Sequence, residues 1–117
     1  MSLEDDFIAV AKTLCPRFFP DTAPFETQAP YGIWQHVGGE SLRYMDNTAA
    51  DKRNAFVQIT IWAQSRLQAS TLLRGIEDAL CSAPTLQASP QGEQVAAYDD
   101  ANALRGAVQT FSIWGSR

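Results

Sequence analysis

Very little in this chain can carry chemistry. It has one histidine, His36, and two cysteines, Cys15 and Cys81. A catalytic histidine needs a nucleophile and an orienting carboxylate close by in space, and a metal site needs several ligands together. His36 falls between Trp34 and Gly38-Gly39 with no acid cluster beside it, so a structural or surface histidine is expected. The cysteines lack a C-x-x-C spacing, which removes the usual zinc and redox signatures. Each falls near the end of an expected helix, and two reduced, half-buried thiols are the reading. No G-x-S-x-G is present, and Gly38-Gly39 lacks the flanks of a phosphate loop. The acid pairs Asp5-Asp6 and Asp99-Asp100 are sequence neighbours, which diverge on a helix or strand and do not aim at one point. No catalytic, cofactor-binding or metal residues are therefore expected, and no cofactor.

Other absences bound the partners. No basic run occurs and the net charge is -4, which argues against specific nucleic-acid binding. No apolar stretch reaches the length of a membrane span, so no membrane is expected. The N-terminus carries Glu4, Asp5 and Asp6 where a signal peptide would be positive, so the cytoplasm is the expected compartment. An apolar fraction of 45% with 19% charged residues belongs to a folded chain, and 117 residues suit a single domain over 1–117.

What the chain does have is a long strand pattern. Asn54 to Trp62 reads N-A-F-V-Q-I-T-I-W, and Q-T-F-S-I-W-G at Gln109 to Gly115 nearly echoes it. Alternation puts Ala55, Val57, Ile59, Ile61 and Ala63 on one wholly apolar face, and Phe56, Gln58, Thr60 and Trp62 on the other. In the closing strand, Leu104 to Trp114, Ala107, Gln109, Phe111 and Ile113 oppose Val108, Thr110, Ser112 and Trp114. Two amphipathic helices accompany these strands. Ser2 to Leu14 lines up Leu3, Phe7, Val10, Ala11 and Leu14, with Ser2 as N-cap and Pro16 as the stop. From an N-cap at Ser65, the second helix stripes Leu72, Leu73, Ile76 and Leu80, with Ala69 and Cys81 extending the stripe.

Between these elements, Cys15 to Pro30 is a stiff proline-rich connector that Phe18, Phe19 and Phe25 pin to the body. Tyr31 to Val37, the Gly38-Gly39 turn and Ser41 to Met45 read as a hairpin. Asp46 to Arg53 reads as an exposed polar loop, Ser82 to Gly92 as a loop, and Glu93 to Tyr98 as a strand. The fold class is α+β, with a mainly antiparallel sheet of about four to five strands and two helices on one face. Phe56 and Trp62 then fall on the face that no helix covers, where exposed aromatics mark a protein interface unless the proline-rich connector covers them.

Five blocks in this order resemble one family. They are F-F-P-D-T-A-P-F-E-T-Q-A-P-Y (Phe18 to Tyr31), G-I-W-Q-H-V-G-G-E (Gly32 to Glu40) and D-K-R-N-A-F-V-Q-I-T-I-W-A (Asp51 to Ala63). The last two are R-L-Q-A-S-T-L-L-R-G-I-E-D-A-L (Arg66 to Leu80) and L-R-G-A-V-Q-T-F-S-I-W (Leu104 to Trp114). Together they resemble the small tail completion proteins of long-tailed bacteriophages and prophages, which are similar to tail terminator and tail-to-head joining proteins. The resemblance implies a non-enzymatic structural protein of the virion tail. It implies a ring of identical copies, commonly a hexamer, on the head-proximal end of the tail tube. The implied partners are the chain itself, the tail tube protein and the head-tail connector protein.

A ring needs two different patches on each subunit. The mixed sheet face with Phe56 and Trp62 is one candidate, and the polar segment with Asp51, Lys52 and Arg53 is another. Two other readings compete: a ligand-binding or enzymatic α+β domain with a pocket between helices and sheet, and a monomeric tail assembly factor.

Overall fold

The computed structural model describes residues 3–20, 30–38, 52–83, 86–99 and 104–116. The first helix, α1 (Leu3–Lys12), is followed by the short strand β1 (Phe18–Pro20), then β2 (Tyr31–Gly38) and β3 (Lys52–Ala63). The second helix, α2 (Arg66–Ser82), leads to β4 (Gln87–Pro90), β5 (Val95–Asp99) and β6 (Leu104–Ser116). The fold is α+β with a mixed six-stranded sheet in the order β1-β2-β3-β6-β4, and β5 also pairs with β6. Among the described residues only the β1–β2 pairing is parallel, and the other four are antiparallel.

β3 and β6 form the spine of the sheet. They pair over twelve positions without a register break, from Lys52 opposite Ser116 to Ala63 opposite Arg105. Their alternation has the physical effect the sequence implies. Ala55, Val57, Ile59, Ile61 and Ala63 are buried, as are Ala107, Gln109, Phe111 and Ile113. Both helices pack on this face. From α2, Ala69, Leu73, Ile76 and Leu80 are fully buried, while Leu72 is half-buried at the edge of the stripe. Leu73, Ile76 and Leu80 each contribute about 2 kcal/mol by leaving water, before the entropy of ordering is subtracted. Ser65 caps the helix, its Oγ accepting from the Gln68 N–H at 3.1 Å.

From α1, Phe7 and Ala11 join the same core. Phe7 meets Trp34 edge-on at 5.0 Å and Phe18 at 6.4 Å between ring centroids. The helix ends at Lys12, two residues short of the expected Leu14, and Leu14 is largely exposed. The capping role expected of Ser2 lies outside the described residues.

Four expectations need correction. The proline-rich connector contains a strand: Phe18, Phe19 and Pro20 run parallel to Gly32, Ile33 and Trp34. Phe18 is pinned in the core as expected, while Phe25 lies outside the described residues. The loop expected over Ser82 to Gly92 contains β4, and these two short strands raise the count above the expected four to five. Neither shows apolar alternation, because each is held by the backbone of one neighbour rather than by burial of two faces. Lys52 and Arg53 belong to β3, not to a polar loop, because β6 runs far enough to pair with them. Finally, Cys15 is buried and Cys81 exposed, so neither thiol is half-buried. The expected return strand Ser41 to Met45 and residue Asp51 lie outside the described residues.

β4 and β5 share one edge of β6. Pro90 sits opposite Phe111 and Val95 opposite Val108, so four residues, 91–94, face two, Gln109 and Thr110. This is an edge bulge, and Gly92 turns it with φ +149. Side chains fasten the bulge to α2. Gln94 Nε2 donates to the Ser70 carbonyl at 3.1 Å, and Ser70 Oγ donates to Gln94 Oε1 at 2.8 Å. Gln109 Nε2 donates to Glu77 Oε1 at 2.7 Å and to the Gly92 carbonyl at 2.8 Å.

Candidate functional site: the helix-free face of the sheet

The side of the sheet opposite the helices carries Phe56, Gln58, Thr60 and Trp62 from β3. From β6 come Val108, Thr110, Ser112 and Trp114. Cross-strand register adds Tyr31 and Ile33 from β2, opposite Trp62 and Thr60. All of these residues are half-buried. The expectation of exposed aromatics therefore needs adjusting, and the reason lies in the neighbouring strands.

Each of the two aromatics of β3 has a glycine opposite it. Trp62 pairs with Gly106 on β6, and a β-carbon at Gly106 would stand 2.8 Å from the indole. The indole thus lies against bare backbone. Phe56 pairs with Gly38 on β2, and a β-carbon there would meet its ring at 3.6 Å. A glycine opposite an aromatic leaves room for the ring against the neighbouring backbone. The face is aromatic toward both ends of β3 and polar in the middle, where Gln58 and Thr60 stand.

The polar groups here are few and mild. Asn54 is buried at one end of β3, and its Nδ2 donates to Ser112 Oγ at 2.9 Å and to the Ile113 carbonyl at 3.2 Å. A shallow cavity of about 400 Å³ opens where the edge bulge leaves β6, lined by residues that include Gln58, Glu93, Val95 and Thr110. Its side chains are amides, a hydroxyl, one carboxylate and valines, with no nucleophile-base pair among them. The space between helices and sheet is filled by the apolar core described above. Among the described residues, two buried polar atoms have no partner: Trp34 Nε1 and Gln109 Oε1.

The remaining sequence candidates scatter. His36 is exposed near the end of β2, opposite Val57 in register and on the helix side of the sheet. Lys52 and Arg53 lie at the start of β3, Arg53 next to Asn54, four and three residues before Phe56. Among the described residues no group of three or more His, Cys, Asp or Glu could hold a metal, and no helix is long and apolar enough to cross a membrane. The thiols of Cys15 and Cys81 are both pushed up from their ordinary range, chiefly by loss of hydration. Arg17 partly offsets this at Cys15, whereas Glu77 and Asp78 add to it at Cys81.

Sequence reasoning placed Phe56 and Trp62 on this face but missed Gly38 and Gly106 as their cross-strand partners. That pairing depends on cross-strand register, which the sequence does not display. Compared with known families, residues 8–116 match the one described as tail completion protein gp17. No curated protein matches the chain.

Proposed function

Since the chain belongs to the tail completion protein gp17 family, whose members are structural components of phage tails, we propose that it acts without catalysis, as a ring on the head-proximal end of the tail tube. In this reading the ring stops tube growth and offers the head-tail connector a seat. Copies of the chain, the tube protein and the connector protein are its partners, and hexamers are the ring size that the resemblance implies. Folded chains wait in the bacterial cytoplasm and end in the virion tail.

One observation carries the proposal: the helix-free face, with half-buried Trp62 against Gly106 and half-buried Phe56 opposite Gly38. Half-buried aromatics around a polar centre have the make-up of a protein interface rather than of a ligand pocket. Lys52 and Arg53 begin the same strand.

The test is to mix the protein with purified tail tubes and image them by electron microscopy. The expected result is a ring at one end of each tube and, when the protein is present during polymerisation, shorter tubes. Tubes that stay uncapped and grow to unchanged lengths overturn the proposal.

A further inference from the structure

The edges of this sheet are not equally protected. An exposed strand edge invites another strand, and proteins blunt it with proline, lysine, bulges or short strands. β1 has three residues, ends in Pro20 and follows Pro16. β4 ends in Pro90 and runs into the bulge. β5 reads V-A-A-Y-D, with no proline and no lysine, and the bulge lies only before its first residue. Among the described residues β6 is its only strand neighbour. Its apolar side chains are open: Val95 is 65% exposed and Ala96 is exposed.

Backbone direction follows from one bond. Gln91 donates its N–H to the Thr110 carbonyl at 2.8 Å, so Thr110 turns its main-chain groups away from β3. β6 is regular against β3, so Val108 and Gly106 turn the same way, toward Val95 and Ala97. The main-chain N–H and C=O of Ala96 and Tyr98 therefore face away from the sheet.

We propose that β5 is a self-pairing edge: β5 of a second copy adds to it antiparallel, about a two-fold axis through Ala97. In this register Ala96 stands opposite Tyr98 of the other copy, and Tyr98 opposite its Ala96. All four outward backbone groups of each copy then find partners. Charge agrees with this register, since Asp99 falls opposite Val95 rather than opposite another carboxylate. A parallel pairing in register would set Asp99 beside Asp99. The contact is isologous and distinct from the heterologous contacts of a ring, so it stands or falls independently of tube capping.

Cross-linking tests it directly. In antiparallel strands, residues opposite each other at a non-hydrogen-bonded position have α-carbons about 4.5 Å apart, within the span of a disulfide. The Ala97→Cys variant, made with Cys81→Ser, should form a covalent dimer under mild oxidation at high protein concentration. Ser89→Cys, on exposed β4, should not. Adding Ala96→Pro removes an outward donor without breaking a bond to β6 and should abolish the cross-link. Val95→Asp, which sets two carboxylates opposite each other, should do the same, whereas Val95→Lys should keep it. Circular dichroism melts establish that each variant is folded. Absence of the Ala97→Cys dimer overturns the proposal. So does equal cross-linking through Ser89→Cys, or a dimer undiminished in folded Ala96→Pro or Val95→Asp.

Discussion

Gly106 and Trp62 show how much a single hydrogen side chain can decide. A β-carbon at Gly106 would come within 2.8 Å of the indole and 3.2 Å of the Ile61 carbonyl, so neither neighbour yields freely. Gly106→Ala should lower stability by about 1–3 kcal/mol, the usual cost of overpacking. Urea denaturation checks the size, and a shift in tryptophan emission shows the indole leaving the strand. Cys15 offers a second residue-scale outcome. Burial raises its thiol above the ordinary value of 9.0, so folding favours the protonated form. That contribution is full below pH 9.0 and is lost as pH rises through the higher folded value. Stability of the native chain relative to Cys15→Ala should therefore fall as pH rises above 9.0. Paired urea titrations below and above that pH measure it, and a difference that stays constant refutes it. At this scale the sequence told which side chains of β3 and β6 go inward, because alternation is local. It could not tell which glycine each aromatic covers, because that depends on chain segments tens of residues apart.

At the scale of elements, legibility follows burial. α2 and β3 carry their patterns in full, since one face of each meets the core, and Ser65 marks where the helix starts. β1 and β4 carry no such pattern. Phe18-Phe19-Pro20 and Gln87-Ala88-Ser89-Pro90 become strands because β2 and β6 present free backbone beside them. The same holds for Lys52 and Arg53, polar residues drawn into β3 by the length of β6. The edge bulge is the element most dependent on one residue. Gly92 has φ +149, which side chains rarely adopt, although nothing stands within 4 Å of its would-be β-carbon. Gly92→Ala should therefore cost about 1–3 kcal/mol through backbone strain rather than collision. Thermal melts give the magnitude. Hydrogen exchange should locate the loosening at residues 91–95 and leave β3 protected.

For the whole molecule, both helices lie on one side and leave the other side of the sheet without a helix, and the sequence foresaw that division. It did not foresee that glycines stand opposite Phe56 and Trp62, nor that β4 and β5 divide one sheet edge. Trp62→Glu puts a charge on the helix-free face without touching the core. It should leave the fold near native by circular dichroism and reduce tube capping at least tenfold in protein concentration. Capping at the native concentration by a folded Trp62→Glu chain would remove this face from the assembly surface. The edge bulge has a last consequence, for how such a chain can change length over evolutionary time. The bulge holds two surplus residues, an even number, so β4 and β5 present their side chains in step despite the interruption. Losing one residue there would turn one of these strands over, sending Val95 inward and Ala96 outward or exchanging Ala88 with Ser89. Losing two would leave every side chain on its present face and merge the strands into one long edge. Insertions and deletions at this corner are thus confined to steps of two, and the shortest permitted form is also the one most prone to edge-to-edge aggregation.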